Sequence, residues 1–483
     1  MELYSSNDSY KLYQGNMLDM LEVIEPNSID SIVTDPPYEL NFMNNGWDNS
    51  GIAFQKETWE KCFEVLKPGG YLLAFGGSRT FHRIACAIED AGFEIRDTIM
   101  WLYGSGFPKS LNIGLAIDKK NGVDNRTGEI RTDGNKGGGV NTFDDDNYVW
   151  KDQFEVREAQ NEWKGWGTAL KPSFEPIIVA RKPFKGSLVD NVIEYGVGGI
   201  NIDECRVEAI DKEELQKNWN RQQSTSTNVV NYVAQKDIDL REYKPDGRFP
   251  ANTILTYDET DFEEVCGGFP NTKSGSKMSF GSVRKKQPYN CSKLGFTQKE
   301  YNYVQNAPDN YGDSGSASRY FYCAKASKKD RDEGLEEFEE SPYAVSNQAI
   351  AELKRGNLDK VENRSQMNSV QMRNNVHPTV KPCNLMQYLV RLVSPDGATI
   401  LDCFNGSGST GKAVMYENKE RNKNYKYIGI ELTEEYLPIA KARIEYVCNC
   451  QIENSNFIES KDKSKSENQL GKAKPQDIQL SLF

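Results

Sequence analysis

The sequence has few of the residues that build several common kinds of site. Only 2 of its 483 residues are histidine. The 10 cysteines are scattered without a C-x-x-C pair, which indicates neither a structural zinc site nor a disulfide framework, and no metal is expected. No apolar run approaches the ~18 residues of a membrane-spanning helix. The first residues are polar and lack the layout of a secretion signal, so we expect a soluble intracellular protein.

An excess of positive charge is also lacking. The chain has 59 Lys and Arg against 71 Asp and Glu, a net charge of -12. This balance excludes a protein coated uniformly in basic residues, because non-specific phosphate binding depends on Lys and Arg. It leaves room for one local basic track.

The length and the order of apolar segments predict an α/β protein with more than one unit. The chain is about three times the ~150 residues of a typical domain. Strand-like Ser31–Thr34 and Tyr71–Phe75 flank a helical pattern at Thr58–Leu66. Such strand-helix-strand alternation favours a doubly wound, mostly parallel sheet. The alternation is lost after Lys185 and returns after Pro378.

These changes in pattern divide the chain into four predicted segments. Residues 1–184 and 377–448 form the two halves of one α/β domain. Residues 185–376 are an insert too long for a single loop, and we interpret them as a separate recognition region. Residues 449–483 are rich in Lys, Ser, Glu and Gln, and we expect a disordered tail.

A glycine-rich loop follows the predicted strand Thr399–Leu401, and it has several interpretations. Its G-x-G-x-x-G pattern is formed by Gly406, Gly408 and Gly411. A phosphate-binding P-loop requires Ser or Thr after the lysine, and position 413 is alanine. A dinucleotide site remains open, as does a glycine turn that serves packing alone.

Asp402 and Phe404 favour a different ligand for this loop. An acid at the end of the strand would repel a pyrophosphate but suits a cationic sulfonium centre. The glycines would then allow close approach of the backbone. Glu431, at the end of the next predicted strand, is placed to accept hydrogen bonds from two ribose hydroxyls. The cofactor that these features imply is S-adenosyl-L-methionine.

A second loop, Asp35-Pro36-Pro37-Tyr38, follows the predicted strand Ser31–Thr34. A stiff turn would explain the two prolines without any function. The loop also suits chemistry on the amino group of a base, whose lone pair is delocalised into the ring. Asp35 and the Pro36 carbonyl can accept its two hydrogens, which localises the lone pair, and Tyr38 offers a face for a flipped base.

Three motifs together resemble those of amino-group DNA methyltransferases. They are Asp35-Pro36-Pro37-Tyr38, His377-Pro378-Thr379-Val380-Lys381-Pro382 and Asp402-Cys403-Phe404-Asn405-Gly406-Ser407-Gly408-Ser409-Thr410. Their order is similar to that of the β group, in which the methyltransferase fold is circularly permuted around an inserted target-recognition region. The chain also resembles site-specific enzymes of phages, prophages and other mobile elements, which implies the cytoplasm of a bacterial or phage-infected cell.

The resemblance implies roles for individual residues. It places Asp35, Pro36, Pro37 and Tyr38 at the target base of double-stranded DNA, and nine residues at S-adenosyl-L-methionine. Those nine are Asn16, Thr379, Lys381, Asp402, Phe404, Gly406, Gly408, Thr410 and Glu431. Asn16 departs from the family, which commonly has Asp there to contact the cofactor's adenine.

The same resemblance implies which base is modified. Asp35 stands where cytosine-N4 enzymes usually carry Ser, and this favours adenine N6, with cytosine N4 as the alternative. A catalytically idle adaptor that only binds DNA or a clamp is the alternative from a different class. An NAD-dependent enzyme built on the glycine loop is a more distant one.

A basic stretch at residues 270–299 is the predicted DNA contact. It contains seven Lys or Arg and no acid, with aromatic residues interleaved, which fits phosphate contacts combined with stacking. A merely solvated loop is the alternative. The predicted contacts are Lys273, Lys277, Arg284, Lys285 and Lys286.

The last five residues form an apolar peptide after the polar tail. Gln479-Leu480-Ser481-Leu482-Phe483 resembles the short peptide by which bacterial DNA-processing proteins dock on the replicative sliding clamp. In that interpretation Gln479 and Leu480 belong to the motif, and Leu482 and Phe483 fill an apolar pocket. Packing on the enzyme's own surface is the alternative, and a homodimer is left open.

Overall fold

The structure is a computed structural model. It describes residues 2–40, 46–103, 110–123, 126–130, 154–156, 158–208, 247–256, 271–273, 314–316, 322–323, 329–339, 341–344 and 370–450.

Strands and helices alternate through most of the described ranges. The strands are β1 (Glu2–Ser6), β2 (Tyr10–Gln14), β3 (Ile29–Thr34), β4 (Leu66–Phe75), β5 (Glu94–Tyr103), β6 (Arg126–Ile130), β7 (Phe154–Val156), β8 (Phe174–Arg181), β9 (Val207–Glu208), β10 (Gly247–Arg248), β11 (Thr253–Thr256), β12 (Asn271–Lys273), β13 (Ser314–Ser316), β14 (Tyr322–Cys323), β15 (Ser341–Ala344), β16 (Val370–Arg373), β17 (Thr399–Asp402) and β18 (Lys426–Glu431). The helices are α1 (Met17–Leu21), α2 (Lys56–Val65), α3 (Phe81–Asp90), α4 (Ile113–Lys120), α5 (Leu188–Tyr195), α6 (Lys329–Asp332), α7 (Cys383–Val393), α8 (Ser409–Arg421) and α9 (Leu437–Asn449).

Ten of these strands form one mixed sheet in the order β1-β2-β18-β17-β3-β4-β8-β5-β11-β14. Five neighbouring strands are parallel to one another: β2, β18, β17, β3 and β4. β5, β11 and β14 are also parallel to one another. β8 lies antiparallel between β4 and β5. The predicted mostly parallel α/β sheet is therefore confirmed. β8 is an antiparallel strand inside it.

Helices cover both faces of this sheet, because its strands alternate side chains between two cores. In β4, Leu73 and Phe75 belong to one core, whereas Leu72 and Ala74 belong to the other. The first core packs against α7, α8 and α9, and the second against α1, α2 and α3. This is the doubly wound arrangement that strand-helix alternation predicts.

Some described pieces of residues 185–376 pack on the main sheet. β11 extends it by pairing with β5, and β14 pairs with β11. Asn191 of α5 donates hydrogen bonds to the carbonyls of Pro68 and Val197. The boundaries of the predicted recognition region stay a prediction.

In the described part of the chain, no helix combines the length and the apolar character needed to span a membrane.

Candidate active site

The predicted site residues gather at the carboxyl edge of the parallel strands. β2, β18, β17 and β3 are adjacent in the sheet. Their ends therefore bring Asn16, Glu431, Asp402 and Asp35 to one edge in that order. Residues far apart in sequence become neighbours because the strands are parallel, and this edge is where doubly wound sheets bind ligands.

Asp402 links the glycine loop to the Asp-Pro-Pro-Tyr loop. Its Oδ1 accepts hydrogen bonds from the Thr34 hydroxyl at 2.7 Å and from the Phe404 amide at 3.1 Å. Its Oδ2 accepts one from the Thr410 hydroxyl at 2.6 Å. Burial raises the pKa of Asp402 to about 6, against the opposing effect of these hydrogen bonds. Thr34 directly precedes Asp35, so Asp402 fixes both loops together.

Glu431 ties the glycine loop to the end of β18. Its carboxylate accepts hydrogen bonds from the amides of Gly406 at 2.6 Å and Thr433 at 2.8 Å. Burial raises its pKa. The Gly15 amide donates to the Glu431 carbonyl at 3.0 Å, and Asn16 caps α1 by accepting from the Leu18 amide. Asn16 thus has a structural role that Asp would fill equally well.

Two glycines of the loop are required by close contacts within the protein itself. Gly406 and Gly408 have φ angles of +51° and +74°, a region that favours glycine. A Cβ at Gly406 would lie 2.8 Å from His377 Nε2, and one at Gly408 would lie 3.0 Å from the backbone of Ala440. The described close approach of Gly406 and Gly408 is to neighbouring protein atoms.

Arg443 of α9 holds the glycine loop from behind, and no pattern in the sequence indicated it. Its side chain is fully buried. It donates hydrogen bonds to the carbonyl and hydroxyl of Ser407 and to the hydroxyl of Ser409, and to the Asp330 carbonyl. Burial lowers the pKa of Arg443 to about 10.

The lysine of the G-x-x-x-x-G-K pattern does not serve a phosphate site. Lys412 is fully buried and forms an ion pair with Glu333 at 2.7 Å. A P-loop lysine must instead reach the phosphates in front of the loop. The geometry therefore removes the P-loop interpretation that the sequence had already disfavoured.

Asp35 is the first residue of the second loop and forms an ion pair with Lys381. Lys381 Nζ is 2.6 Å from Asp35 Oδ2. The other carboxylate oxygen, Oδ1, is buried and has no hydrogen-bond partner. An unpaired buried acceptor is costly, so this atom is suited to receive a donor from a ligand. The sequence placed Lys381 at the cofactor, and the structure places it against Asp35.

Tyr38 is held by hydrogen bonds at its hydroxyl and at its carbonyl. Its hydroxyl donates to Glu175 Oε2 at 2.7 Å, and its carbonyl accepts from the Thr80 hydroxyl at 2.8 Å. Burial raises the pKa of Tyr38 well above its usual value, and the charges of Asp35 and Glu175 add to the effect. The phenol therefore stays neutral, with its ring fixed in orientation beside Asp35.

Sequence reasoning missed Glu175 as a site residue. It stands near the start of β8, and the antiparallel direction of β8 brings this start to the carboxyl edge of its parallel neighbours. Glu175 also accepts a hydrogen bond from the Tyr103 hydroxyl at 3.3 Å. Local sequence does not reveal the direction in which a strand runs, so the place of Glu175 in the site depended on the tertiary structure.

The remaining predicted residues are distributed as follows. Phe404 packs partly buried beside Trp59, with ring centroids 6.5 Å apart. Pro36 is buried, Pro37 is half-buried and Thr379 is exposed. The predicted DNA contacts Lys277, Arg284, Lys285 and Lys286 and the terminal peptide lie outside the described residues, and of Lys273 only the backbone is described.

A family comparison identifies the class of protein that this fold and site belong to. The model of the DNA methylase family, which groups N6- and N4-type enzymes, matches residues 29–442. The chain belongs to this family and is an S-adenosyl-L-methionine-dependent DNA methyltransferase.

Individual relatives match to differing extents. Type II methyltransferase M.HindIII of Haemophilus influenzae is 23% identical over 283 residues, which is 47% of this chain and 77% of that protein. Type II methyltransferase M.HpaI of Haemophilus parainfluenzae is 35% identical over 106 residues, 21% of this chain and 34% of that protein. The solved structure of the PvuII cytosine-N4-specific DNA methyltransferase covers 92% of this chain and 90% of that one at 12% identity, with a TM-score of 0.36.

The residues at the carboxyl edge fit S-adenosyl-L-methionine. Three carboxylates, Asp35, Asp402 and Glu431, lie at adjacent strand ends, and two of them are almost fully buried. Such a site favours a ligand that brings positive charge. Among the described residues, no cluster of His, Cys, Asp and Glu is suited to hold a metal ion.

Proposed function

We propose that this chain methylates the N6 amino group of adenine at a specific site in double-stranded DNA. The observation that carries the proposal is the Asp35 carboxylate, whose Oδ2 is held by Lys381 while Oδ1 is buried without a partner. A flipped adenine presents two amino hydrogens. Asp35 Oδ1 would accept one of them and the Pro36 carbonyl the other, which localises the nitrogen lone pair.

The surrounding residues prepare this geometry before the base arrives. The Tyr38 ring is fixed through its hydroxyl and can stack on the flipped base. The Lys381 ammonium lies 2.6 Å from Asp35 Oδ2 and holds the carboxylate in place, with Oδ1 left to accept a hydrogen bond. S-adenosyl-L-methionine supplies the electrophilic methyl group when bound. Because the amine sheds its proton after the transfer, no strong base is needed, and the neutral, buried His377, whose pKa burial lowers to about 3, is not assigned to proton transfer.

Single-molecule sequencing of DNA from bacteria that express the chain tests this proposal. We expect N6-methyladenine at one short motif, and no modification with Asp35→Ala at equal protein levels. N4-methylcytosine at the motif would show that cytosine, the alternative base, is the target. An unmodified genome with the wild-type chain, together with retained DNA binding, would favour the idle adaptor.

Two further contacts belong to the proposal. Residues 270–299 supply phosphate contacts, supported by their seven basic side chains and absence of acids. Residues 479–483 dock on the bacterial sliding clamp, supported by the match of the terminal peptide to that kind of motif. The enzyme would thereby act in the bacterial cytoplasm on newly replicated DNA.

A further inference from the structure

A second carboxylate, Glu175, lies beside the Asp35 and Lys381 pair, and the function proposed above uses only its contact with the Tyr38 hydroxyl. Its Oε2 accepts the hydrogen bond of the Tyr38 hydroxyl at 2.7 Å and lies 3.6 Å from Lys381 Nζ. Lys381 is therefore positioned between two carboxylates, with Asp35 on the nearer side at 2.6 Å.

The Lys381 ammonium is buried beside two aromatic rings, so its charge depends on nearby carboxylates. The Lys381 ammonium lies 5.3 Å from the centre of the Tyr38 ring and 5.0 Å from that of Phe75. Its side chain is 8% exposed, so water does little to stabilise the charge. A buried ammonium must be offset by nearby negative charge.

Burial and neighbouring charges have opposite effects on the pKa of Lys381. Burial acts to lower the pKa of Lys381, yet the charges of Asp35 and Glu175 outweigh it, and the net pKa lies above the usual value. The other titratable neighbours contribute no negative charge near neutral pH, because the Tyr38 phenol has a raised pKa and His377 a lowered one. Asp35 and Glu175 together keep Lys381 protonated.

We propose that Glu175 is a positioning residue for methyl transfer, which holds Tyr38 by its hydroxyl and, jointly with Asp35, keeps the Lys381 ammonium in place against Asp35 Oδ2. This inference rests on the proposed function. It assigns one residue to two tasks: the orientation of the ring that receives the base, and the fixation of the carboxylate that accepts the amino hydrogen. Neither task brings Glu175 into contact with the reacting atoms.

Glu175→Gln is the variant that tests the inference, because the amide keeps the size and a hydrogen-bond acceptor for Tyr38 while removing the charge. The substrate is unmodified DNA that contains the motif recognised by the wild-type enzyme. On this DNA we expect kcat to fall roughly tenfold, with a smaller change in KM. The alkaline limb of the pH profile of kcat should move to lower pH, since Lys381 loses its proton more readily. A purely structural role would lower activity without moving this limb.

Chemical labelling supplies a readout that does not depend on activity. Acetic anhydride reacts with the deprotonated amine, so the pH dependence of Lys381 acetylation, followed by mass spectrometry, reports the titration of this group. The midpoint should be lower in Glu175→Gln than in wild type.

Glu94→Gln is the matched control, because Glu94 pairs with Arg181 at the opposite end of β8. It should leave both the labelling midpoint and the pH profile unchanged. An unshifted Lys381 midpoint in Glu175→Gln, or an equal shift in the control, would overturn the inference. If wild-type protein methylated no DNA, the proposed function would fail, while the labelling result would still decide the contact between Glu175 and Lys381.

Discussion

Asp402→Asn is expected to make the protein more stable at neutral and alkaline pH. Asp402 is 2% exposed, and burial raises its pKa from 3.8 to about 6. At about 1.4 kcal/mol per pH unit, this corresponds to a cost of roughly 3 kcal/mol for the ionised carboxylate in the folded protein. The hydrogen bonds are largely retained, because the amide oxygen can accept from Thr34 and Phe404 and the amide nitrogen can donate to the Thr410 hydroxyl.

The sign of the pH dependence follows from proton binding. Well below pH 3.8 the carboxyl is protonated in both the folded and the unfolded state, and Asp402 costs nothing. As pH rises towards 6, the unfolded chain ionises first, so folding loses stability until the folded group has ionised as well. The amide in the variant cannot ionise. The stability advantage of the variant should therefore grow by roughly 1.4 kcal/mol between about pH 5 and about pH 8.

Urea denaturation of wild type and Asp402→Asn at these two pH values, without added cofactor, measures this difference. Asp30→Asn is the matched control, since Asp30 is also buried but pairs with Lys67 at 2.6 Å, and its loss should destabilise at both pH values. Calorimetric titration with S-adenosyl-L-methionine should show that Asp402→Asn binds the cofactor more weakly, by up to roughly tenfold, because a negative charge facing the cationic cofactor is gone. A stability difference that is the same at both pH values would refute the reasoning.

Three other substitutions or deletions test separate parts of the chain. Arg443→Met should lower the free energy of unfolding by roughly 3–5 kcal/mol, because it leaves the acceptors behind the glycine loop unpaired; a loss below about 1 kcal/mol in urea denaturation would contradict this support role. Replacing Arg284, Lys285 and Lys286 with Ala should weaken DNA binding and reduce the slope of log affinity against log salt by up to roughly 3, measured by fluorescence anisotropy; an unchanged slope would remove this stretch from the interface. Deleting residues 479–483 should abolish capture by immobilised sliding clamp while methylation of short oligonucleotides continues, and retained capture would exclude the terminal peptide as the docking element.

Local pattern was sufficient for the main elements that carry the site. The short run Ser31–Thr34, followed by Asp35 and two prolines, predicted a strand that ends at Thr34, and β3 does end there. The strand before Asp402 was equally readable. The last helix does not begin directly after Glu431: Glu434–Tyr436 form a short 3-10 turn, and α9 starts at Leu437, next to Pro438.

The sequence by itself determined which residues follow the strand ends, because Asp-Pro-Pro-Tyr and the glycine loop each come directly after a short run that predicts a strand. Only the tertiary structure decided which side chains complete them. Glu175 reaches the site because β8 runs antiparallel between β4 and β5, Lys381 turns to Asp35, and Arg443 reaches the loop from α9. Such contacts depend on strand direction and helix packing, which arise from the burial of two cores formed by distant parts of the chain. The local sequence around Glu175, Lys381 and Arg443 therefore does not predict them.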